Sequence, residues 1–417
     1  MKLRSRSTSV DRGPTKREKY VIPRGVLDID WQTLFAAAAR RHSGTDEQEA
    51  LQRVQSLWGT SRATIICQSV RSGLDLLLES LNWRPGSQIL MSAATIPQMA
   101  RVVIEHGLVP VPIDVDRETL APDLDQLRAR ITLESKAILI AHLFGSRLNL
   151  SELAGIAQLN KLSLWEDVAQ GFAADRFPGD DHADVSLFSF GMIKAQTALG
   201  AAILRFRDPA VAQRCEEIQL QWPEQPPHHF RQRLWKAVVL KFLTWHPVYS
   251  LLIGTAASLG TDYDRLLSQS VRGFDATQLF VQLRRRPCRA MIDLLHNRLA
   301  HPARHWMEQK TKLAGRYDEL LPVPVRVGSQ ASFPARWVLP IVSRDPQRLQ
   351  IRLVRLGFDA TRRASQLSVV AAPDDHPQWT ATRTHTWLEN LLFLPLHPAL
   401  RDSHIRTIAE TIHDIES

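Results

Sequence analysis

Val185-Ser186-Leu187-Phe188-Ser189-Phe190-Gly191-Met192-Ile193-Lys194 is the stretch that decides the fold. The apolar, β-forming run Val185–Phe190 holds a strand that ends at the serine, and a lysine follows five residues later. Six more runs of this kind flank it: Ala63–Cys67, Gln88–Ser92, Val109–Ile113, Ala137–Ala141, Leu162–Trp165 and Ala201–Phe206. Helical periodicity fills the gaps at Ser72–Leu81, Pro97–His106, Leu124–Ile131 and Ser151–Leu159. Strands alternating with helices predict βα units and a parallel sheet. The strands are apolar on both faces, so helices must cover both sides. The expected fold is α/β, with a large domain on a mainly parallel seven-stranded sheet and a smaller C-terminal α/β domain.

Around that core the rhythm changes. Residues 1–60 read as a basic tail and a helical segment. Residues 61–275 form the large domain, with an atypical insert at 207–275. Residues 276–417 form the C-terminal domain, entered by one long basic helix over 276–310 that Pro287 kinks. The insert holds a proline-rich loop from Trp222 and a 24-residue apolar stretch, 237–260, whose titratable residues are Lys241 and His246. That stretch is long enough to reach across a bilayer, but Pro247 breaks it. A buried helical hairpin is the plain reading; a patch at 237–260 that makes a peripheral membrane contact or meets another copy, and a true span, are the others.

Composition narrows the function. Of 417 residues, 44% are hydrophobic and 23% charged, which is ordinary globular composition. Cys67, Cys215 and Cys288 are scattered and odd in number, so neither a disulfide framework nor a zinc site is expected, and a reducing, cytoplasmic setting is. The net charge is +9, part of it in the first 19 residues, which lack the apolar core of a signal peptide. The run Arg284-Arg285-Arg286 reads as a solvated helix face. No motif that reads nucleic acid is present.

The chemistry gathers at two strand ends. Leu164-Trp165-Glu166-Asp167-Val168-Ala169-Gln170 ends a strand in carboxylates, and the opening stretch ends one in Ser189 and Lys194. Ligands of open α/β sheets collect at the carboxyl ends of strands. A lysine among apolar neighbours can lose its proton and form a Schiff base with an aldehyde. A neighbouring carboxylate keeps a pyridine nitrogen protonated. A serine hydroxyl and a helix N-terminus suit a phosphate. Together these groups describe a pyridoxal 5'-phosphate site.

Four segments carry a resemblance. Glu166-Asp167-Val168-Ala169-Gln170 resembles E-D-A-A-Q, and Ser189–Lys194 resembles S-F-[HF]-x-x-K. His142-Leu143-Phe144-Gly145 resembles H-L-Y-G, and Leu394-Pro395-Leu396-His397-Pro398 resembles L-P-L-H-P. In that order they resemble the DegT/DnrJ/EryC1/StrS sugar aminotransferases, fold-type-I enzymes that use pyridoxal phosphate. The resemblance implies a homodimer that moves an amino group from an amino-acid donor to a keto acceptor of the sugar class. It implies that Lys194 bonds the cofactor and then moves a proton, that Asp167 holds the pyridine nitrogen, and that Gln170 lies by the ring. Ser189, Arg71 and Ser72 would face the phosphate. Ile96 stands where the family stacks an aromatic ring on the cofactor. Leu199-Gly200-Ala201-Ala202 stands where the family shows Gly-Glu-Gly-Gly, so that glutamate is absent. The family's G-Y-N-Y-R, which reaches the partner's phosphate, has an echo in Val271-Arg272-Gly273-Phe274. The alternatives are lyase, dehydratase or racemase chemistry on the same scaffold, or a non-catalytic, membrane-associated or regulatory member.

Overall fold

The computed structural model describes residues 18–39, 47–58, 62–172, 177–258, 279–362 and 366–417. The basic tail up to residue 17 and the 271–274 echo, Arg272 included, lie outside them.

Seven strands make the central sheet: β1 (Ala63–Cys67), β2 (Gln88–Ser92), β4 (Val109–Ile113), β5 (Ser135–Ala141), β6 (Ser163–Asp167), β7 (Val185–Ser189) and β8 (Ala202–Phe206). The short β3 (Ala94–Thr95) lies outside it. The order across the sheet is β1-β8-β7-β6-β5-β2-β4. Strands β4, β2, β5, β6 and β7 run parallel, and β8 is antiparallel to both its neighbours. The expected sheet is thus present, with every strand within two residues of its predicted bounds.

Helices cover it on both sides. In chain order they begin α1 (Trp31–Ala39), α2 (Glu47–Trp58), α3 (Val70–Leu81), α4 (Pro97–Glu105), α5 (Leu124–Arg130), α6 (Ser151–Leu159) and α7 (Pro209–Leu220). Helix α3 turns Leu74, Leu77 and Leu78 into a core shared with Ile65, Met91, Trp165 and Leu204. Burying each such side chain contributes about 1.5–3 kcal/mol. The contact is close because Gly73 faces Leu204: a methyl group on Gly73 would fall 2.3 Å from its Cδ1.

The insert is a bent pair, α8 (Pro227–Leu243) and α9 (His246–Ser258), with Pro247 in the first turn of α9. Proline is tolerated there because that N–H has no helical partner. Among the described residues no single helix is long and apolar enough to cross a membrane; α8 and α9 pass only together, bent by 88°. One side of α8 is buried through Phe230, Leu234 and Ala237, while Trp235, Val239 and Phe242 face outward.

The long helix expected over 276–310 is instead broken. Helices span Leu279–Leu283, Arg289–Ala300 and Arg304–Leu320. Pro287 and Pro302 sit in the two breaks, where each removes a backbone donor and clashes with the preceding turn. Nor is the arginine run a free helix face. Arg284 binds Asp75 at 3.1 Å, and Arg286 donates to the Trp222 carbonyl at 3.2 Å.

The C-terminal unit pairs β9 (Leu339–Val342) with β11 (Leu391–Leu394) under helices Pro346–Leu356 and Asp402–Glu416. Its core includes Tyr317, Phe358, Leu392 and Ile408. The segment from Glu18 to Arg24 runs along it, bonded from Ile22 N–H to the Gly357 carbonyl at 2.8 Å. Two short strands join the units: β10 (Ser368–Val369) pairs with β3, one residue before Ile96.

Candidate active site

Parallel pairing aligns the strand ends. Asp167 stands opposite Ala141 of β5 and Leu187 of β7, and Ser189 ends β7. The chain then enters a loop, 190–201, closed by Phe190 N–H to the Ala201 carbonyl at 3.0 Å. Gln196, Leu199 and Ala201 hold φ of 56°, 60° and 68°. Residues with a Cβ resist such angles and keep them only where surroundings enforce them. The enforcing bonds are visible. Gln196 N–H donates to Asp28 Oδ2 at 2.7 Å, Leu199 N–H to Thr197 Oγ1 at 3.0 Å, and Ala201 N–H to the Gln68 carbonyl at 3.0 Å.

Lys194 rides on this loop. Its backbone N–H donates to the Gly191 carbonyl at 3.0 Å, and its Nζ lies 3.8 Å from the ring centre of Trp337. The indole is fixed from the other edge, where Nε1 donates to the Ile193 carbonyl at 2.9 Å. Burial pulls the Lys194 ammonium down to about 8; the charge of Asp167 opposes this and that of Arg71 adds to it. A lysine near 8 is neutral often enough at physiological pH to act as a nucleophile.

Asp167 shows the opposite shift. Burial raises its pKa, against the Ala169 N–H bond at 2.9 Å and the charges of Lys194 and His142. One oxygen is occupied by Ala169; the other accepts from no protein group among the described residues.

The adjacent Glu166 faces the other side of the sheet and is fully enclosed. Oε2 meets His142 Nε2 at 2.8 Å, while Oε1 accepts from Ser186 Oγ at 2.6 Å and Asp180 N–H at 2.7 Å. Burial alone would raise its pKa, but His142, Ser186 and Asp180 outweigh it and hold it low. His142 Nδ1 accepts from Leu148 N–H at 3.1 Å, so the ring is a structural strut behind the site.

The remaining sequence candidates divide. Ser189 accepts from Gly191 N–H at 3.4 Å, and its hydroxyl proton is unused among the described residues. Arg71 is in the first turn of α3, beside Arg233 of α8; burial and the charge of Arg233 bring it down to about 10. Ser72 gives its hydroxyl to the Leu283 carbonyl and its N–H to Ser69 Oγ. Gln170 Oε1 accepts from Phe144 N–H at 3.0 Å, tying the strand end to the next loop. Ile96 caps α4 and packs against the core of α3 and β2.

Beyond Lys194 opens a cavity of about 220 Å³, with Leu240, Trp306, Met307, Trp337 and Phe393 among its walls. Its charged groups are bonded internally: Arg24 to Asp359 at 2.7 Å, Lys310 Nζ to the Trp337 carbonyl at 2.6 Å, and Asp28 to Arg298 at 3.0 Å. Trp337, Lys310 and Arg233 carry no motif in the sequence. Only the folded contacts bring Trp337 and Lys310 to this cavity and Arg233 beside Arg71.

Lys194, an oxygen of Asp167 and the Ser189 hydroxyl thus remain chemically available at adjoining strand ends. An aldehyde, a pyridinium N–H and a phosphate are the groups that complement an amine, a carboxylate and a hydroxyl flanked by arginine, so these residues fit pyridoxal phosphate.

Residues 36–237 match the model of the DegT/DnrJ/EryC1/StrS aminotransferase family. Solved structures agree in fold. The aminotransferase TlmJ from Streptoalloteichus hindustanus is 19% identical with a TM-score of 0.65, covering 94% of this chain and 98% of its own. A DegT DnrJ EryC1 StrS aminotransferase from Brucella abortus is 18% identical with a TM-score of 0.65, over 93% and 96%. A putative sugar aminotransferase, Spr1654 from Streptococcus pneumoniae in its PLP form, is 15% identical with a TM-score of 0.65, over 95% and 99%.

Proposed function

We propose that the protein is a pyridoxal-phosphate-dependent aminotransferase. It would take an amino group from an amino-acid donor and deliver it to a keto acceptor of the sugar class, as a cytoplasmic homodimer. The observation that carries this reading is the pair at the strand ends, a lysine brought down to about 8 and a buried aspartate with an open oxygen. When bound, the cofactor supplies an electron sink for the carbon next to the transferred nitrogen. Lys194 then has two tasks, to hold the cofactor and to carry a proton at Nζ. Asp167 keeps the ring nitrogen protonated. Ser189 and Arg71 make up the phosphate end, Ser72 holds the turn beside them through Ser69 and Leu283, Gln170 fixes the loop beside the ring, and Ile96 packs on it.

The cavity supports the acceptor class. A dry cavity of about 150 Å³ holds a benzene ring, so about 220 Å³ has room for a six-membered ring. Its apolar walls suit the less hydroxylated face of such a ring.

The outward stripe of Trp235, Val239 and Phe242, with Trp245 and Phe35, supports a contact with a second copy. Trp235, Phe242 and Trp245 are 69%, 52% and 62% exposed. Exposed aromatic patches of this kind mark interaction surfaces. Sedimentation should give a dimer that Trp235→Asp weakens. Flotation of the protein with anionic liposomes would instead assign the stripe to a membrane. The chemistry is tested by adding glutamate to the loaded protein. Accumulation of pyridoxamine phosphate is expected; elimination or racemisation of the amino acid without it would favour the lyase or racemase alternative.

A further inference from the structure

Arg233 lies on α8, outside every segment that carries the resemblance. Its guanidinium is half-buried, and among the described residues no group accepts a hydrogen bond from it. A cation taken partly out of water without a counter-ion is costly, so such a group points to an anion that completes it.

Its position says which anion. A methyl group at Gly200 would lie 2.5 Å from Arg233 Nη1. The guanidinium therefore occupies the space that a side chain at Gly200 would need. Gly200 stands six residues after Lys194, and its N–H donates to the Phe190 carbonyl at 3.1 Å. The next residue, Ala201, donates to the Gln68 carbonyl, where the chain turns into Ser69 and Arg71. Arg233 is thus pressed against the backbone that joins the lysine loop to the first turn of α3. Arg71 feels its charge, and Lys194 feels that of Arg71. The glutamate that the resemblance places in the Gly-Glu-Gly-Gly turn would set a carboxylate here. This chain has glycine and an arginine instead.

We propose that Arg233 holds the phosphate of the cofactor together with Arg71, a second guanidinium supplied by the same chain through α8. The inference rests on the cofactor reading above. Two guanidinium groups match a dianion, because each can offer paired N–H donors to its oxygens.

The test compares pyridoxal phosphate with pyridoxal, which has the aldehyde and ring but no phosphate. Cofactor-free protein is titrated with each and followed by absorbance, for wild type, Arg233→Gln and Gly200→Ala. Arg233→Gln should weaken pyridoxal phosphate roughly ten- to a hundredfold and leave pyridoxal unchanged. Gly200→Ala, which pushes the guanidinium aside, should show a smaller loss with the same selectivity. Inorganic phosphate should raise the melting temperature of wild type more than that of Arg233→Gln. Equal losses for both ligands in Arg233→Gln, or no loss for either, would overturn the proposal while leaving the cofactor reading standing. Wild-type protein that takes up neither ligand would overturn both.

Discussion

The two faces of strand β6 carry adjacent carboxylates with opposite fates. Glu166 is surrounded by His142, Ser186 and the Asp180 N–H, and its charge is stabilised. Among the described residues Asp167 has one backbone bond and an open oxygen, and its pKa is raised. Alternation along a strand sends neighbours to opposite sides, so one residue step separates a closed structural network from an unfinished site. The contrast teaches where function lies. The closed face spends its polar groups on the fold, and the open face keeps them for a ligand.

The largest effect should come from disturbing the open face. Asp167→Asn keeps the shape and removes the charge, and amino transfer should fall about 10²–10³-fold with the melting temperature little changed. Steady-state kinetics beside thermal unfolding checks this; an equal rate would break the contrast.

Glu166→Gln should do the reverse. Stability should fall by about 2–3 kcal/mol, while cofactor absorbance per folded molecule stays the same. Since the pKa of Glu166 is lowered in the fold, its stabilisation is present above the ordinary glutamate value and lost as pH falls. The gap between the denaturant curves of the two proteins should therefore be full above about pH 4.3 and narrow as pH falls below it.

Gln170→Ala is expected to cost about 1 kcal/mol, through the lost bond to Phe144 N–H. Cofactor affinity should fall less than tenfold. A larger loss, measured by titration, would move Gln170 from support to direct contact.

The finest test is a pH profile. With Lys194 near 8, its neutral fraction rises from about a tenth at pH 7 to about nine-tenths at pH 9. Labelling by an aldehyde and borohydride should follow that curve. Asp167→Asn should shift the midpoint down, because the aspartate charge favours the ammonium. An unchanged midpoint would show that the two groups do not sense each other.

Much of this was legible in the sequence, for a physical reason. Parallel strands buried on both faces leave short apolar runs, and the polar residues that end them stand out, as Asp167, Ser189 and Lys194 do. The misread regions depend on contacts between distant segments. The long helix over 276–310 has helical periodicity, but Pro287 and Pro302 divide it, and Arg284 and Arg286 turn to partners in α3 and the 222 loop. Trp337 arrives from the C-terminal unit, over 140 residues from the lysine it lies against. Arg233 looks like any charged residue on a surface helix until α8 is packed against the 190–201 loop.

The central claim is that Lys194 and the open face of β6 hold pyridoxal phosphate. The most direct measurement is the visible absorbance of protein incubated with the cofactor and dialysed, beside Lys194→Ala. Wild type should show a yellow band that borohydride bleaches, and the variant should lack it. A colourless wild type, or a band that survives the loss of Lys194, would contradict it.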